Sequence, residues 1–423
     1  MMKNIIVVLF LSCAFISTAK KTLALSPVYV NNTYTSTSTE GKVLGVDVFT
    51  TIQEAVNAVD EGGTVYVTTG IYNESILITK SLSLIGGRPL VKVGAHPNTA
   101  VISGGTSTGT IIIDGADSPI KVLIRNLMIT RGSYGIAVLH NANVTLTNNT
   151  ITHYGKNGVT FGPVFLPEAG GISGTISKNI ITGIGPTNTL AQNGIQVSED
   201  NTAVISGNKI SNNIYTTEGT KWATGILVHQ SKGLLISNNT LIDNQIGINL
   251  IKTSASTVTG NTVTGNKLSK AGIMVSNPDT DMTHTSTGNT IRRNTLSGGF
   301  IGIWSSYAHG NKYLNNIVSS SMRNGIYLWN SNDNVLTSNT ISSVRSFKKD
   351  VTSVGVELDD DQTANDETTK GSRFNTLVDN VVVKSDSGFL LAKNSKNNNF
   401  ANNRFNGTLT SPVEESSGEK IEN

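Results

Sequence analysis

The chain repeats itself, and the spacing of that repeat limits the folds open to it more than any other feature. Asparagines preceding short β-forming runs stand at Asn126, Asn149, Asn179, Asn208, Asn239, Asn261, Asn294, Asn316, Asn339, Asn380 and Asn403. The shortest intervals are 22 or 23 residues, and the longer ones read as the same unit with an insertion. A second marker is a glycine opening an alternating apolar run, at Gly135, Gly158, Gly194, Gly225, Gly247, Gly272, Gly302, Gly325, Gly355 and Gly388; six of these lie fourteen residues before their asparagine. Apolar residues alternate with period two inside each unit, and no stretch of ten or more carries the 3.6-residue period of a helix. The unit is therefore built of strands and turns, without the fixed leucines of a leucine-rich repeat or the six-residue period of a left-handed β-helix.

A coil of about 22 residues with three short strands predicts an all-β chain wound as a right-handed parallel β-helix, each strand pairing with its copy one rung away at about 4.8 Å. The asparagine is expected at a tight turn, in the left-handed conformation, with its amide bonded to the asparagines above and below. Near the start, Thr51-Ile52-Gln53-Glu54 has the capping-box pattern, and Ile52, Ala55, Val56 and Val59 share one helical face. That helix is expected to plug the open end of the coil. The expected organisation is a leader over 1–24, an N-terminal segment over 25–46, the β-helix over 47–406 and a polar mobile tail over 407–423, with Glu414, Glu415, Glu419 and Glu422.

The leader reads as a secretory signal: Lys3, an apolar run from Ile5 to Ile16, and small residues offering cleavage after Ala19 or Ala24. Export is the expected localisation, whether secreted, periplasmic or on the cell surface. The one cysteine, Cys13, lies inside the leader, so cleavage after Ala24 leaves no thiol or disulfide; Phe10-Leu11-Ser12-Cys13 keeps a lipid-anchored alternative open. The formal net charge is +3, and cleavage after Ala24 removes Lys3, Lys20 and Lys21, leaving the chain neutral. Nothing in that balance draws the chain to nucleic acid, and no apolar run is long enough to span a membrane. Charged residues make up 14% of the chain, against about 25% in an ordinary domain, so the surface is polar and nearly uncharged.

The opening FTTIQEAVNAVDEGGTVYVTTGIYNESILITKSLSLIG, with the repeated G-I-x-V and N-N-T-I units, resembles the pectin-lyase-like β-helix superfamily from Asp47 to about Asn406. That group includes pectate lyases, polygalacturonases, pectin methylesterases, alginate epimerases and lyases, and the periplasmic maturation protein of nitrous oxide reductase. The resemblance implies a substrate groove on the strand that carries the glycine. Insertions fall on either side of that strand and never in the asparagine turn, as a flanked groove requires. The polygalacturonase set of Asn-Thr-Asp, Asp-Asp and Gly-His is absent, and the methylesterase segments do not appear in DGADSPIKVLIRNLMITRG.

In G-I-x-V the isoleucine and valine should point inward, leaving an outward row of Ala137, Thr160, Gln196, Leu227, Asn249, Met274, Trp304, Tyr327, Glu357 and Leu390, with His229, Trp329 and Asp359 on a second row. Two clusters stand out from an otherwise bland surface. The first joins Trp304, Tyr307, Tyr327 and Trp329 to Arg323, Glu357, Asp359, Asp360 and Asp361. Aromatics beside carboxylates suit a sugar, which has an apolar face and polar edges. Glu357 and Asp359 lie about 6.6 Å apart at the Cα, within the range for inverting glycoside hydrolysis. Alternatively Asp360 and Asp361, with Asp366 and Glu367, hold a Ca²⁺ that neutralises a uronate carboxylate, with Arg323 nearby as electrophile or base. An aromatic stack covering the loop after Asp361, with a solvated acidic turn, is the structural alternative. The second cluster is Gln196, Glu199, Asp200, Glu218, Lys221, Trp222, His229 and Gln230, where lysine and histidine beside acids suit proton abstraction next to a carboxylate. The expected protein is a monomer that engages a polysaccharide. It is either a lyase, epimerase or hydrolase acting on an acidic polymer, or a non-catalytic binding, adhesin or maturation protein.

Overall fold

The computed structural model describes residues 26–37, 39, 41–87, 99–105, 109–162, 170–217, 219, 221–278, 284–346, 352–361, 370–408 and 413–415. The leader, Cys13, Glu218, Asp366 and Glu367 lie outside the described residues. Among the described residues the chain forms three sheets of 15, 13 and 13 strands, in which, after the first strands, each strand pairs with the one three places along the chain. Every pairing is parallel, and the register runs unbroken for many rungs. Ile136, Val159, Ile195, Ile226, Ile248, Ile273, Ile303, Ile326, Val356 and Phe389 thus form one inward column. The coil is the right-handed parallel β-helix that the repeat predicts, and its core is a stack of such aliphatic columns.

The glycine markers have a steric reason. The pairing register passes each glycine without a shift, and a Cβ there would meet core side chains and the backbone of the next rung. At Gly302 it would stand 2.2 Å from Val318 Cγ1 and 2.5 Å from the carbonyl oxygen of Gly325. At Gly325 it would stand 2.2 Å from Ile341 Cγ2 and 2.6 Å from the carbonyl of Gly355. Close approach, not a left-handed backbone, excludes side chains from this column.

The asparagine ladder exists, with its conformation shifted by one residue from expectation. The backbone N–H and Nδ2 of Asn149 donate to Asn179 Oδ1 at 2.9 and 3.1 Å, and the pattern continues through Asn208, Asn239, Asn261, Asn294, Asn316, Asn339 and Asn380 to Asn403. The left-handed residue is the one before, as at Asn238 (φ 55°), Arg293 (φ 53°) and Ser338 (φ 56°). The turn is made at that exposed position, which leaves the asparagine free to tuck its amide under the coil. Asn126 is itself left-handed, and in its rung Leu127 takes the ladder place, its N–H donating to Asn149 Oδ1. A second ladder runs through Asn289, Asn311, Asn334, Asn375 and Asn398, five residues before the corresponding members of the first.

Helix Ile52–Ala58 closes the coil as expected. Thr51 Oγ1 accepts the N–H of Glu54 at 3.3 Å, and the Glu74 carboxylate takes the N–H groups of Ile52 and Gln53 at 2.9 and 3.0 Å. Its buried Ile52, Ala55 and Val56 pack on the first strands, Val28–Val30, Val48–Phe49, Thr64–Val67 and Ile76–Ile78. The coil begins earlier than the expected boundary at 47, because Val28 and Val30 alternate inward and Val28–Val30 pairs with Thr64–Val67. It also ends later: Val413–Glu415, placed in the tail by sequence, pairs with the strand Ser387–Leu391.

Candidate functional site

The outward row of the glycine sheet aligns as the alternation requires, with Leu227, Asn249, Met274, Trp304, Tyr327 and Glu357 on successive rungs. The second row carries His229, Ile251, Ser276, Ser306, Trp329 and Asp359. Between the flanking insertions this face holds a groove of about 990 Å³. Tyr215, Trp222, Trp304, Tyr307 and Trp329 form its aromatic lining, Asn249, Ile251 and Met274 lie on its floor, and Lys156 and Lys221 also line it.

The structure redistributes the two sequence clusters. Trp222, grouped by sequence with His229, belongs with the aromatics of the first: its ring lies 5.8 Å from that of Trp304, which lies 6.0 Å from that of Tyr327. The insertion before Gly225 carries Trp222 along the sheet, so that Trp222 and Trp304 pack together over Ile246, Ala271 and Met274. Tyr307 meets Trp329 edge-on at 5.4 Å, and the Arg323 guanidinium lies 5.5 Å from the centre of the Tyr327 ring. Sequence reasoning missed Lys156 because it precedes its glycine strand and belongs to neither cluster. Asn249 and Met274 were legible as outward residues but carried no sign of their place on a groove floor.

The acids gather at one end of this groove, and none of them is among its described lining residues. Tyr327 Oη donates to Asp359 Oδ2 at 2.6 Å, and Asp359 Oδ1 accepts the N–H of Asp360 at 2.9 Å. The Tyr327 phenol is held above its ordinary pKa by burial and by the Asp359 carboxylate that it serves. Asn324 Nδ2 donates to Glu357 Oε2. Burial raises the Glu357 carboxyl above its ordinary pKa; the Asn324 bond and Arg323 oppose the shift, and Asp359 adds to it. An inverting pair needs one carboxylate ready to take a proton from water. Asp359 has both oxygens engaged within the protein, whereas the hydrogen bond to Glu357 falls on its Oε2.

Asp360 and Asp361 have different hydrogen-bond partners. Asp360 is 3% exposed and accepts Asn394 Nδ2 at 2.9 Å, whereas Asp361 accepts the phenol of Tyr307. Among the described residues no group of three His, Cys, Asp or Glu side chains is placed to hold a metal ion. Asp366 and Glu367, the other expected Ca²⁺ ligands, lie outside the described residues.

His229 sits on the second row beside Ile251, outside the groove lining. Its Nδ1 lies 3.6 Å from Glu199 Oε1, too far for a hydrogen bond, and burial depresses its pKa against the pull of that carboxylate. Asp200 lies 3.8 Å from Lys232 and 3.4 Å from His284. The second cluster is thus a set of charge contacts on adjoining rungs and turns, with Trp222 and Lys221 turned instead to the groove. Burial, with Lys221 close by, lowers the pKa of Lys156.

Comparison with known proteins agrees with this architecture. Residues 109–286 match the family model "Right handed beta helix region" and residues 270–421 match "Periplasmic copper-binding protein (NosD)". No curated protein matches the chain by sequence. Similar solved structures include the mannuronan C-5 epimerase AlgE6 A-module of Azotobacter vinelandii, at 13% identity and TM-score 0.54, covering 86% of this chain and 94% of that one. The AlgE4 A-module of the same organism is 14% identical with TM-score 0.52, covering 84% and 89%. A mutant DFA-IIIase from Arthrobacter chlorophenolicus A6 in complex with DFA-III is 13% identical with TM-score 0.51, covering 90% and 99%. At such identities the likeness is one of fold. From its parallel register, glycine column and asparagine ladders to these matches, the chain is a right-handed parallel β-helix.

Proposed function

We propose that this chain is an exported protein that binds an extended acidic polysaccharide along the outer face of its glycine sheet. The observation that carries the reading is the aromatic lining of the groove, Tyr215, Trp222, Trp304, Tyr307 and Trp329. Indole and phenol rings pack against the apolar face of a pyranose and leave its hydroxyls to polar neighbours. Rungs spaced at about 4.8 Å offer successive sugar units successive rows of side chains. Lys156 and Lys221 supply positive charge in the same lining, which favours a uronate over a neutral glycan. The leader pattern and the match to a family described as periplasmic support export, and the epimerases among the similar folds support a uronate polymer.

A second reading adds catalysis of the lyase, epimerase or hydrolase kind at the acidic end of the groove. It is favoured by Glu357, a buried carboxyl whose raised pKa suits a proton donor, one rung from Tyr327 in the stack that leads into the lining.

The test is to incubate the purified mature protein with pectate, alginate and other uronates, with and without Ca²⁺, following absorbance at 235 nm, reducing ends and retention on immobilised polymer. Retention on a uronate polymer, lost in Trp304→Ala and Trp329→Ala, is the expected result. Unchanged retention in both variants would refute the groove. New unsaturated or reducing ends, abolished in Glu357→Gln, would extend the function to catalysis, and retention without product would confine it to binding.

A further inference from the structure

The groove floor holds one polar side chain that the protein leaves unanswered. Asn249 is 4% exposed, and its Oδ1 is buried without a hydrogen-bond partner. Its outward neighbours on the adjoining rungs are Leu227 and Met274, which offer it no hydrogen-bonding group of comparable strength. Asn193 Oδ1 and Asn324 Oδ1 also lack a partner, but their amide nitrogens donate to side chains, and other buried amides are paired on both sides. Asn208 donates Nδ2 to Ile176 O and to Asn239 Oδ1, and its own Oδ1 accepts from Asn179. Gln196, in the same outward row as Asn249, donates to Ser198 Oγ and accepts from Asn157 and Asn193. A buried amide without partners is a destabilising choice where a leucine of similar shape would fit. Close by, the indole Nε1–H of Trp304 is also buried without an acceptor, two rungs along the same row. Both residues line the groove.

We propose that Asn249 is a specificity-determining residue of the groove: its amide hydrogen-bonds a ring hydroxyl of the sugar unit that lies against the Trp222–Trp304 stack. An amide offers an acceptor and donors in a fixed plane, so it reads the position of a hydroxyl, which the aromatic face does not. Trp304 Nε1–H supplies a second directional donor on the same side. A site built this way discriminates against a sugar with its hydroxyl elsewhere, because the buried amide then remains unpaired. The inference rests on the proposed glycan-binding role of the groove.

The experiment compares the parent mature chain with Asn249→Leu, measuring affinity for pectate and for alginate fractions by calorimetry, and thermal unfolding in the absence of polymer. Asn249→Leu is expected to bind the parent's preferred polymer about tenfold more weakly and to narrow the difference between polymers that differ in ring stereochemistry. Its melting temperature is expected at or above the parent's, since the substitution removes an unpaired buried amide. Parent binding with Asn249→Leu within about twofold of it would overturn this inference and leave the groove reading intact. A lower melting temperature would also overturn it, by showing that the amide serves the fold. If the parent retains none of the polymers, the groove reading fails, and this one with it.

Discussion

The ladder position Asn294 allows the sharpest stability prediction. Its side chain is fully buried; Nδ2 donates to Val258 O and to Asn316 Oδ1 at 3.0 Å each, and Oδ1 accepts the N–H and Nδ2 of Asn261 at 2.9 and 3.0 Å. Asn294→Ala removes all four contacts. Asn316 Oδ1 keeps the Asn294 backbone N–H at 3.1 Å, but the Val258 carbonyl and both Asn261 donors lose these partners. With about 1–3 kcal/mol for each buried group left unpaired, partly offset by water entering the space, the expected loss is roughly 3–6 kcal/mol. Asn403 ends the ladder among the described residues and is half-buried; its Oδ1 still accepts the N–H and Nδ2 of Asn380, but its own amide donates only to Leu377 O, so Asn403→Ala is expected to cost less, roughly 1–3 kcal/mol. Urea unfolding followed by far-UV circular dichroism measures both, with the m-value compared so that only changes in midpoint are read as stability. If Asn294→Ala came within about 1 kcal/mol of the parent, or cost no more than Asn403→Ala, the ladder would not be what holds the rungs together.

Three further outcomes follow from other parts of the molecule. Gly325→Ala is expected to lose at least about 2 kcal/mol in the same unfolding assay, because the new methyl group meets Ile341 and the Gly355 carbonyl at once; an unchanged midpoint would refute the packing argument. Trp222→Ala is expected to reduce uronate retention as Trp304→Ala does, since each ring supports the other, and retention at the parent level would separate Trp222 from the groove. Glu357 binds its proton more tightly in the folded than in the unfolded chain, so stability falls as pH rises from its ordinary value through its raised folded value. Glu357→Gln is expected to remove that part of the pH dependence, which parallel melting curves across the mildly acidic range would check.

The coil was legible in the sequence because a solenoid contacts mainly its own neighbouring rungs. A period of 22 or 23 residues with two-residue alternation leaves few ways to bury the apolar face, so the parallel sheets, the inward columns and the outward row of the glycine sheet all followed from counting. The ladder was legible as a role, but its geometry was not: whether Asn238 or Asn239 takes the left-handed turn depends on which of the two the coil buries, and both are asparagine. The second ladder was written in the five-residue spacing from Asn289 to Asn294 and its repeats, a signal hidden by the abundance of asparagine.

The site divides along the same line. Sequence alone determined which side chains face outward and that the aromatics and acids crowd the rungs near Trp304, Tyr327 and Glu357, because strand alternation is a local property. Tertiary structure decided what those residues do together. Only the path of the insertion before Gly225 brings Trp222 against Trp304, and only the facing of neighbouring rungs commits Asp359 to Tyr327 and Asp361 to Tyr307. It also leaves Asn249 buried without a partner on the groove floor. Insertions obey no repeat, and hydrogen-bond partners depend on side-chain directions in three dimensions. A period in the sequence therefore specifies the scaffold, while the contacts that depart from it shape the groove.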